Sequence, residues 1–231
     1  MNKKLKLLSL AASIALSLSS ASALAAGKYG PGASDKEVKV GNMVPYSGGA
    51  SAYGNIGKAI SAYFKGINEA GGINGRQINF ISLDDSYSPP KTVEQARKLV
   101  EQEEVLFLSA TLGTPPNSAI HKYMNQKKVP HLFVNTGAHK WGDPKNFPWT
   151  MGLQPDYQTE GKIYASHILK NNPNAKIAIL YQNDDYGKDY LKGMEDGLGE
   201  KKGMIVAKAS YETTDPTVSN QMVTLKSSGA D

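Results

Sequence analysis

The sequence has 231 residues, 40% of them hydrophobic and 20% charged, and it contains no cysteine. That composition supplies apolar surface for one substantial core or two small ones and excludes disorder as the main state. The missing sulfur excludes disulfide scaffolds, thiolate zinc sites, iron–sulfur clusters and cysteine nucleophiles, and it is silent about compartment. Lys and Arg outnumber Asp and Glu by 26 to 21, but Lys3, Lys4 and Lys6 supply three of those cations, so a nucleic-acid partner is not expected.

Those lysines precede an uncharged run rich in Leu, Ala and Ser over residues 7–26, closing on Ala23-Leu24-Ala25-Ala26. A basic start, an apolar centre and small closing residues are the order of a secretory signal peptide, here assigned to residues 1–25. A membrane anchor is the other reading of such a run, and its serines and short apolar centre argue against it. With no cysteine to follow the small residues, a bacterial lipoprotein is excluded. The mature chain is expected to be exported to the periplasm and soluble.

After a Gly/Pro/Ser leader, apolar runs alternate with helix-like stretches, which predicts an α/β fold with a parallel sheet. Residues 38–44 read as a first strand, 53–70 as an amphipathic helix ended by Gly71-Gly72, and 78–83 as a second strand. Pro90 opens a helix before the strand 105–108, Pro116 opens another through about residue 126, and 131–134 is a fourth strand. Beyond the segment Asn146-Phe147-Pro148-Trp149 a second series begins: helix 158–169, strand 177–181, helix 188–198, strand 204–209 and helix 218–227. Two units are expected, 26–150 and 151–231, the second closing on a helix where the alternation calls for another strand.

In an open parallel sheet, ligands bind outside the carboxyl ends of the strands. Four junctions of the first unit have that position: Ser47-Gly48-Gly49, Asp84-Asp85-Ser86, Thr111-Leu112-Gly113-Thr114 and Asn135-Thr136-Gly137. None is a P-loop, and no stretch satisfies GxGxxG with a following acid, so nucleotide binding loses its main support. The four histidines, at 121, 131, 139 and 167, have no metal-ligand spacing, and no Gly-x-Ser-x-Gly elbow occurs. His121 and His167 fall within predicted helices as packing or surface residues, whereas His139 follows strand four beside Trp141, within reach of a ligand. Asp84-Asp85 and Asp184-Asp185 suit turns and N-caps, and suit a role at the cleft equally. Tyr46, Tyr53, Trp141, Trp149, Tyr157 and Tyr186 all lie in or near predicted loops, where rings could contact an organic ligand.

The run from Val38 to Asp85 carries Val44-Pro45-Tyr46-Ser47-Gly48-Gly49, Tyr53-Gly54, Ile67-Asn68-Glu69-Ala70-Gly71-Gly72-Ile73-Asn74-Gly75-Arg76 and Asp84-Asp85. With Lys127-Lys128-Val129-Pro130 and Tyr181-Gln182-Asn183-Asp184-Asp185-Tyr186-Gly187, it resembles the periplasmic leucine/isoleucine/valine-binding protein family of ABC importers over essentially the whole mature chain. The resemblance implies a type I periplasmic binding protein: two Rossmann-like, three-layer lobes joined by a hinge, closing on a branched-chain or similar amino acid and presenting it to a membrane permease. It implies no enzyme activity and no cofactor, and a monomeric binder. Carried over by position, the ligand-binding residues are Tyr53, Thr111, Asn135, Gly137 and Tyr186, with Tyr46, His139, Trp141 and Tyr157 as further candidates. The family's pocket acid and a second tyrosine fall beyond Asp231, so the second lobe and the completion of the first are expected to be cut short there. Asn135 replaces a smaller residue, and with His139 and Trp141 it points to a rival ligand, an aromatic acid or an amide, in a binder or sensor; a periplasmic enzyme using His139 and the aspartate pairs is the rival of another class.

Overall fold

The computed structural model describes residues 29–231, and the signal peptide expected over residues 1–25 lies outside them. Strands β1 (Glu37–Val44) and β2 (Gln77–Asp84) pair in parallel over their full length, Glu37 opposite Gln77 and Val44 opposite Asp84. Helix α1 (Gly54–Glu69) connects them, entered through a 3-10 turn at Ser51–Tyr53. Helix α2 (Pro89–Arg97) starts with proline in its first turn, where a missing N–H costs nothing, and runs into a π-helical turn, Lys98–Gln102. Strand β3 (Phe107–Ser109), helix α3 (Thr114–Lys127), β4 (His131–Val134) and the short β5 (Thr150–Gly152) complete a five-stranded sheet of order β2-β1-β3-β4-β5. The reversal of strand order beside β1 makes this a doubly wound sheet.

A second sheet pairs β6 (Ile177–Gln182) with β7 (Ile205–Tyr211), again in parallel, with helices α4 (Tyr157–Asn171), α5 (Asp185–Leu198) and α6 (Ser219–Ser227) around it. The expected α/β class holds. Element ends differ where caps decide them. Helix α3 begins two residues before Pro116 because Gly113 serves as its N-cap, and α5 begins at Asp185 because the Asp184 carboxylate accepts from the Gly187 N–H. The three-residue β5 has no pattern of its own in sequence and exists by pairing with β4.

The main core lies between the first sheet and helices α2 and α3, where Met43, Leu99, Leu108, Ile120 and Met124 are fully buried. Beside it sit two buried histidines. His131 Nε2 meets Thr111 Oγ1 at 2.6 Å and Asn117 Oδ1 at 3.0 Å, while His121 stacks on Phe147, ring centroids 3.9 Å apart, with Trp141 edge-on. Burial, reinforced by the neighbouring His121, pushes His131 down to about 3; burial and then Lys140 push His121 down to about 4.

In the second part, α4 and α5 approach through glycines. A Cβ on Gly193 would stand 2.2 Å from the Gln158 carbonyl, and one on Gly161 would stand 2.7 Å from that of Tyr190. Backbone lies on both sides of the contact, so no side chain can rotate away.

Two predictions follow from this packing. Both histidines stay neutral in the fold but take up protons below about pH 6.5 once unfolded, so stability falls as pH drops from there towards the folded-state values. His121→Phe keeps the ring contacts and removes a buried Nε2 that has no partner. By urea unfolding it is expected within about 1 kcal/mol of the parent at neutral pH and with a shallower loss towards acid; an unchanged slope would show that His121 does not contribute. Gly193→Ala is expected to cost about 2 kcal/mol or more by prising α4 from α5, and a variant as stable as the parent would rule out the close contact.

Candidate functional site

The carboxyl ends of all seven strands converge on one cleft of about 720 Å³. From the first sheet come Gly49, Ala50 and Tyr53 after β1, Ser86 and Tyr87 after β2, Leu112, Gly113 and Thr114 after β3, Asn135 and Thr136 after β4, and Gln154, Tyr157 and Glu160 after β5. From the second come Gln182, Tyr186 and Tyr190 after β6, and Tyr211, Thr213 and Thr214 after β7.

Two adjacent carboxylates shape the first wall. Asp84 ends β2 level with Val44, and its oxygens accept from the backbone N–H of Tyr46, Ser47 and Ser86, the hydroxyls of Ser47 and Ser86, and Lys91 Nζ at 2.9 Å. Burial raises the Asp84 pKa, but hydrogen bonds from Ser47, Lys91 and Ser86 outweigh it and hold the carboxyl well below the usual range. Asp85 is fully buried; burial pushes its carboxyl up although Tyr87 N–H and Thr92 Oγ1 donate to it. Between them these acids hold Ser86 and Tyr87 in the left-handed region, φ 52° and 58°, a conformation costly for residues with a Cβ. The bend lays the Tyr87 ring on Gly113, where an added Cβ would meet it at 2.4 Å and where φ of +96° already requires glycine. Burial chiefly pushes the Tyr87 phenol up to about 12.

Gly113 is the N-cap of α3 and has no side chain to cap the helix, so the positive end of α3 opens at Gly113 and Thr114. From there a chain of hydrogen bonds runs through Tyr157 and Gln154 and returns to the β4 junction at Asn135. Thr114 Oγ1 bonds Thr136 Oγ1, Thr136 donates to the Tyr157 hydroxyl at 3.2 Å, Tyr157 donates to Gln154, and Gln154 Nε2 donates to Asn135 Oδ1 at 2.6 Å. On the far side, Tyr157 stacks on Tyr190 with centroids 4.7 Å apart, and Tyr186 stands edge-on to both. The Tyr190 hydroxyl donates to Glu160 Oε2; burial and then that carboxylate hold Tyr190 protonated well above the ordinary phenol range.

Residues 37–231 match the family model described as periplasmic binding protein. The chain belongs to the periplasmic binding protein family. Among curated relatives, a Leu/Ile/Val-binding protein homolog 7 from Brucella suis is 24% identical over 210 residues, covering 84% of this chain and 51% of the relative. Among solved structures, the branched-chain amino acid transporter substrate binding protein LivJ from Streptococcus pneumoniae, in complex with isoleucine, superposes with a TM-score of 0.71 at 24% identity, over 85% of this chain and 55% of that one. A solute binding protein from R. palustris in complex with benzoate gives 0.73 at 22% identity, over 84% and 54%. These likenesses establish a type I periplasmic binding protein fold, and the chain spans about half the length of the relatives it matches.

Of the residues expected at the site of this periplasmic binding protein, Tyr53, Asn135, Tyr157 and Tyr186 line the cleft. Five others do not line it, each for a visible reason. Thr111 is buried, with its hydroxyl spent on Asn117 and His131. Gly137 lies beneath the Tyr157 ring, accepting the Tyr157 N–H through its carbonyl. Tyr46 turns over Gly57 and bonds Ser82 at 2.6 Å. His139 bonds the Asp156 carboxylate, and its N–H donates to Asp189. Trp141 is buried against Val134 and Ala138. Asp184 caps α5, Asp185 pairs with Lys140 at 2.9 Å, and Asp84 and Asp85 hold the turn after β2; none of the four lines the cleft. Sequence reasoning missed Tyr87, Glu160, Tyr190 and Tyr211, and reached Thr114 and Thr136 only as members of their junctions. Helical spacing offered a signal for two of them, since Glu160 is three residues beyond Tyr157 and Tyr190 four beyond Tyr186.

Asp84→Asn replaces a six-fold acceptor with a group that has one acceptor oxygen. It is expected to cost about 2 kcal/mol at neutral pH. Because the folded carboxyl has the lower pKa, its contribution is present above about pH 4 and is lost as pH falls further. The stability gap between wild type and variant, measured by urea unfolding, should therefore narrow in acid; a gap independent of pH would refute the role assigned to the charge.

Proposed function

We propose that this chain captures a small, amino-acid-like solute in the cleft and delivers it to an ABC permease, working as an exported, monomeric binder in the periplasm. The observation that carries the reading is the convergence of every strand's carboxyl end, from both sheets, on one cleft lined by tyrosine rings and hydroxyls. Such a lining offers apolar contact area with a few fixed polar groups, the usual character of a small-molecule site. At the start of α3 Pro115 and Pro116 bring no N–H, so a carboxylate there would rest on the positive helix end and on the hydroxyls of Thr114 and Thr136. In this reading the chain through Gly152 and the chain from α4 onward belong to separate lobes, the boundary expected at 150/151 moving past Gly152 because β5 pairs with β4. Solute seated on the first would draw in Tyr186 and Tyr190 of the second, adding contacts made only when the cleft shuts. Binding occurs without turnover.

A relative named as a Leu/Ile/Val-binding protein homologue and a neighbour holding isoleucine support a branched-chain amino acid as the solute. An aromatic acid is the second reading, favoured by the tyrosine lining and by the neighbour that holds benzoate.

Thermal unfolding with and without leucine, isoleucine, valine and benzoate tests the proposal. A solute that binds only the folded state raises the melting temperature, with a stabilisation of about 2.7 kcal/mol at a hundredfold excess over Kd. A rise with the branched-chain amino acids is the expected outcome. A rise with benzoate alone would overturn the amino acid and keep the binder, and no rise with any would reject the binding function.

A further inference from the structure

A short clip joins the elements of the first sheet to those of the second. The 3-10 turn His139–Gly142 follows β4, and its first two residues reach the starts of both α4 and α5. His139 bonds the carboxylate of Asp156, the N-cap of α4, through its ring, and donates its backbone N–H to Asp189 Oδ2 of α5 at 2.8 Å. Lys140 Nζ donates to Asp185 Oδ2, also on α5, at 2.9 Å, and to Ser118 Oγ on α3 at 3.0 Å. The same ammonium lies 5.6 Å from the centre of the buried Trp141 ring. Among the described residues, Lys140–Asp185 is the one lysine or arginine ion pair that links the two sets of elements.

The spacing along α5 gives the clip its consequence. Asp185 and Asp189 are four residues apart, as are Tyr186 and Tyr190, so the helix carries an acidic stripe and an aromatic stripe side by side. The clip grips the acidic stripe, while the aromatic stripe lines the cleft. A retreat of α5 that broke the first set of contacts would carry Tyr186 and Tyr190 away with it. An exposed ion pair shifts an equilibrium by up to about fivefold, and by less where a long side chain must be ordered to form it. Here Ser118 and the Trp141 ring already hold the Lys140 ammonium, so little further ordering is needed to meet Asp185.

We infer that Lys140 is a positioning residue: it sets how closely α5 presents Tyr186 and Tyr190 to the first sheet's side of the cleft, and it does not itself line the cleft. Its effect on affinity rests on the solute-binding reading; its effect on the spacing of the two sides does not.

Lys140→Met keeps the apolar stem and removes the charge, Lys140→Arg keeps a charge, and Asp185→Asn removes the same pair from the α5 side. The chain has no native cysteine, so Lys122→Cys on α3 and Lys226→Cys on α6, both at exposed positions, place two spin labels across the cleft. Pulsed dipolar spectroscopy then reads their separation in the full chain without solute. K140M and D185N should each lengthen or broaden the distance distribution, and K140R should keep the wild-type profile. A wild-type profile in both K140M and D185N would overturn the inference, as would a change in K140M that K140R fully shares. With leucine and benzoate as probes, K140M should raise the Kd of whichever binds wild type by about three- to fivefold, and K140R should not. An altered distance with an unchanged Kd would also overturn it, since the clip would then support the fold without positioning the site. If neither probe binds wild type, the solute-binding reading falls, and the distance measurement still decides what Lys140 does.

Discussion

The cleft depends on the hydrogen bonds gathered by one carboxylate. Full parallel register sets Asp84 beside Val44, so the chains leaving β1 and β2 depart from the same level of the sheet. Asp84 then ties both departures together, accepting from Tyr46 and Ser47 on one and from Ser86 and Lys91 on the other. Two consecutive left-handed residues would be an expensive way to turn a chain. Here the carboxylates of Asp84 and Asp85 hold them, and the bend brings Tyr87 onto Gly113. A ring in the cleft, an open helix terminus beneath it and a glycine between them all trace back to that anchored turn.

A second, buried network fixes the floor. Asn117 donates to the carbonyls of Thr111 and Gly113, and His131 reaches both Thr111 and Asn117 from the start of β4. The polar groups that hold the β3–α3 loop are therefore consumed in holding it. What faces the cleft is the next set along, Thr114 and Thr136, whose hydroxyls bond each other and continue through Tyr157 to Gln154. This division explains why Thr111, a residue of suitable chemistry at a suitable junction, contributes support while its neighbours three and one positions away line the cleft.

Fold class and most elements were legible in the sequence because they rest on local signals: apolar runs, prolines in first turns, glycines and aspartates at caps. The strand at 131–134 falls where its apolar run places it, whereas β5 could not be seen, since three residues next to a proline and a tryptophan carry no period. The site was legible to the level of the junction, and not to the residue. Family position pointed to Tyr53, Asn135 and Tyr186, but which side of a junction faces the cleft depends on turn geometry such as the paired positive φ values at Ser86 and Tyr87. Glu160 and Tyr190 were hidden for another reason: a charge and a phenol on helices look like solvated surface until the two helices are known to meet at Gly161 and Gly193.

The placement of the aromatic residues also decides how the molecule looks to light. Trp141 is buried with His121, Val134 and Ala138, and Trp149 immediately precedes β5, so both indoles belong to the β4–β5 edge of the sheet. Tyr53, Tyr87, Tyr157, Tyr186, Tyr190 and Tyr211 all border the cleft. Neither indole lines the cleft, but Tyr157 both borders it and packs against the Trp141 cluster, so excitation selective for tryptophan samples the sheet edge directly and the cleft only through that one contact.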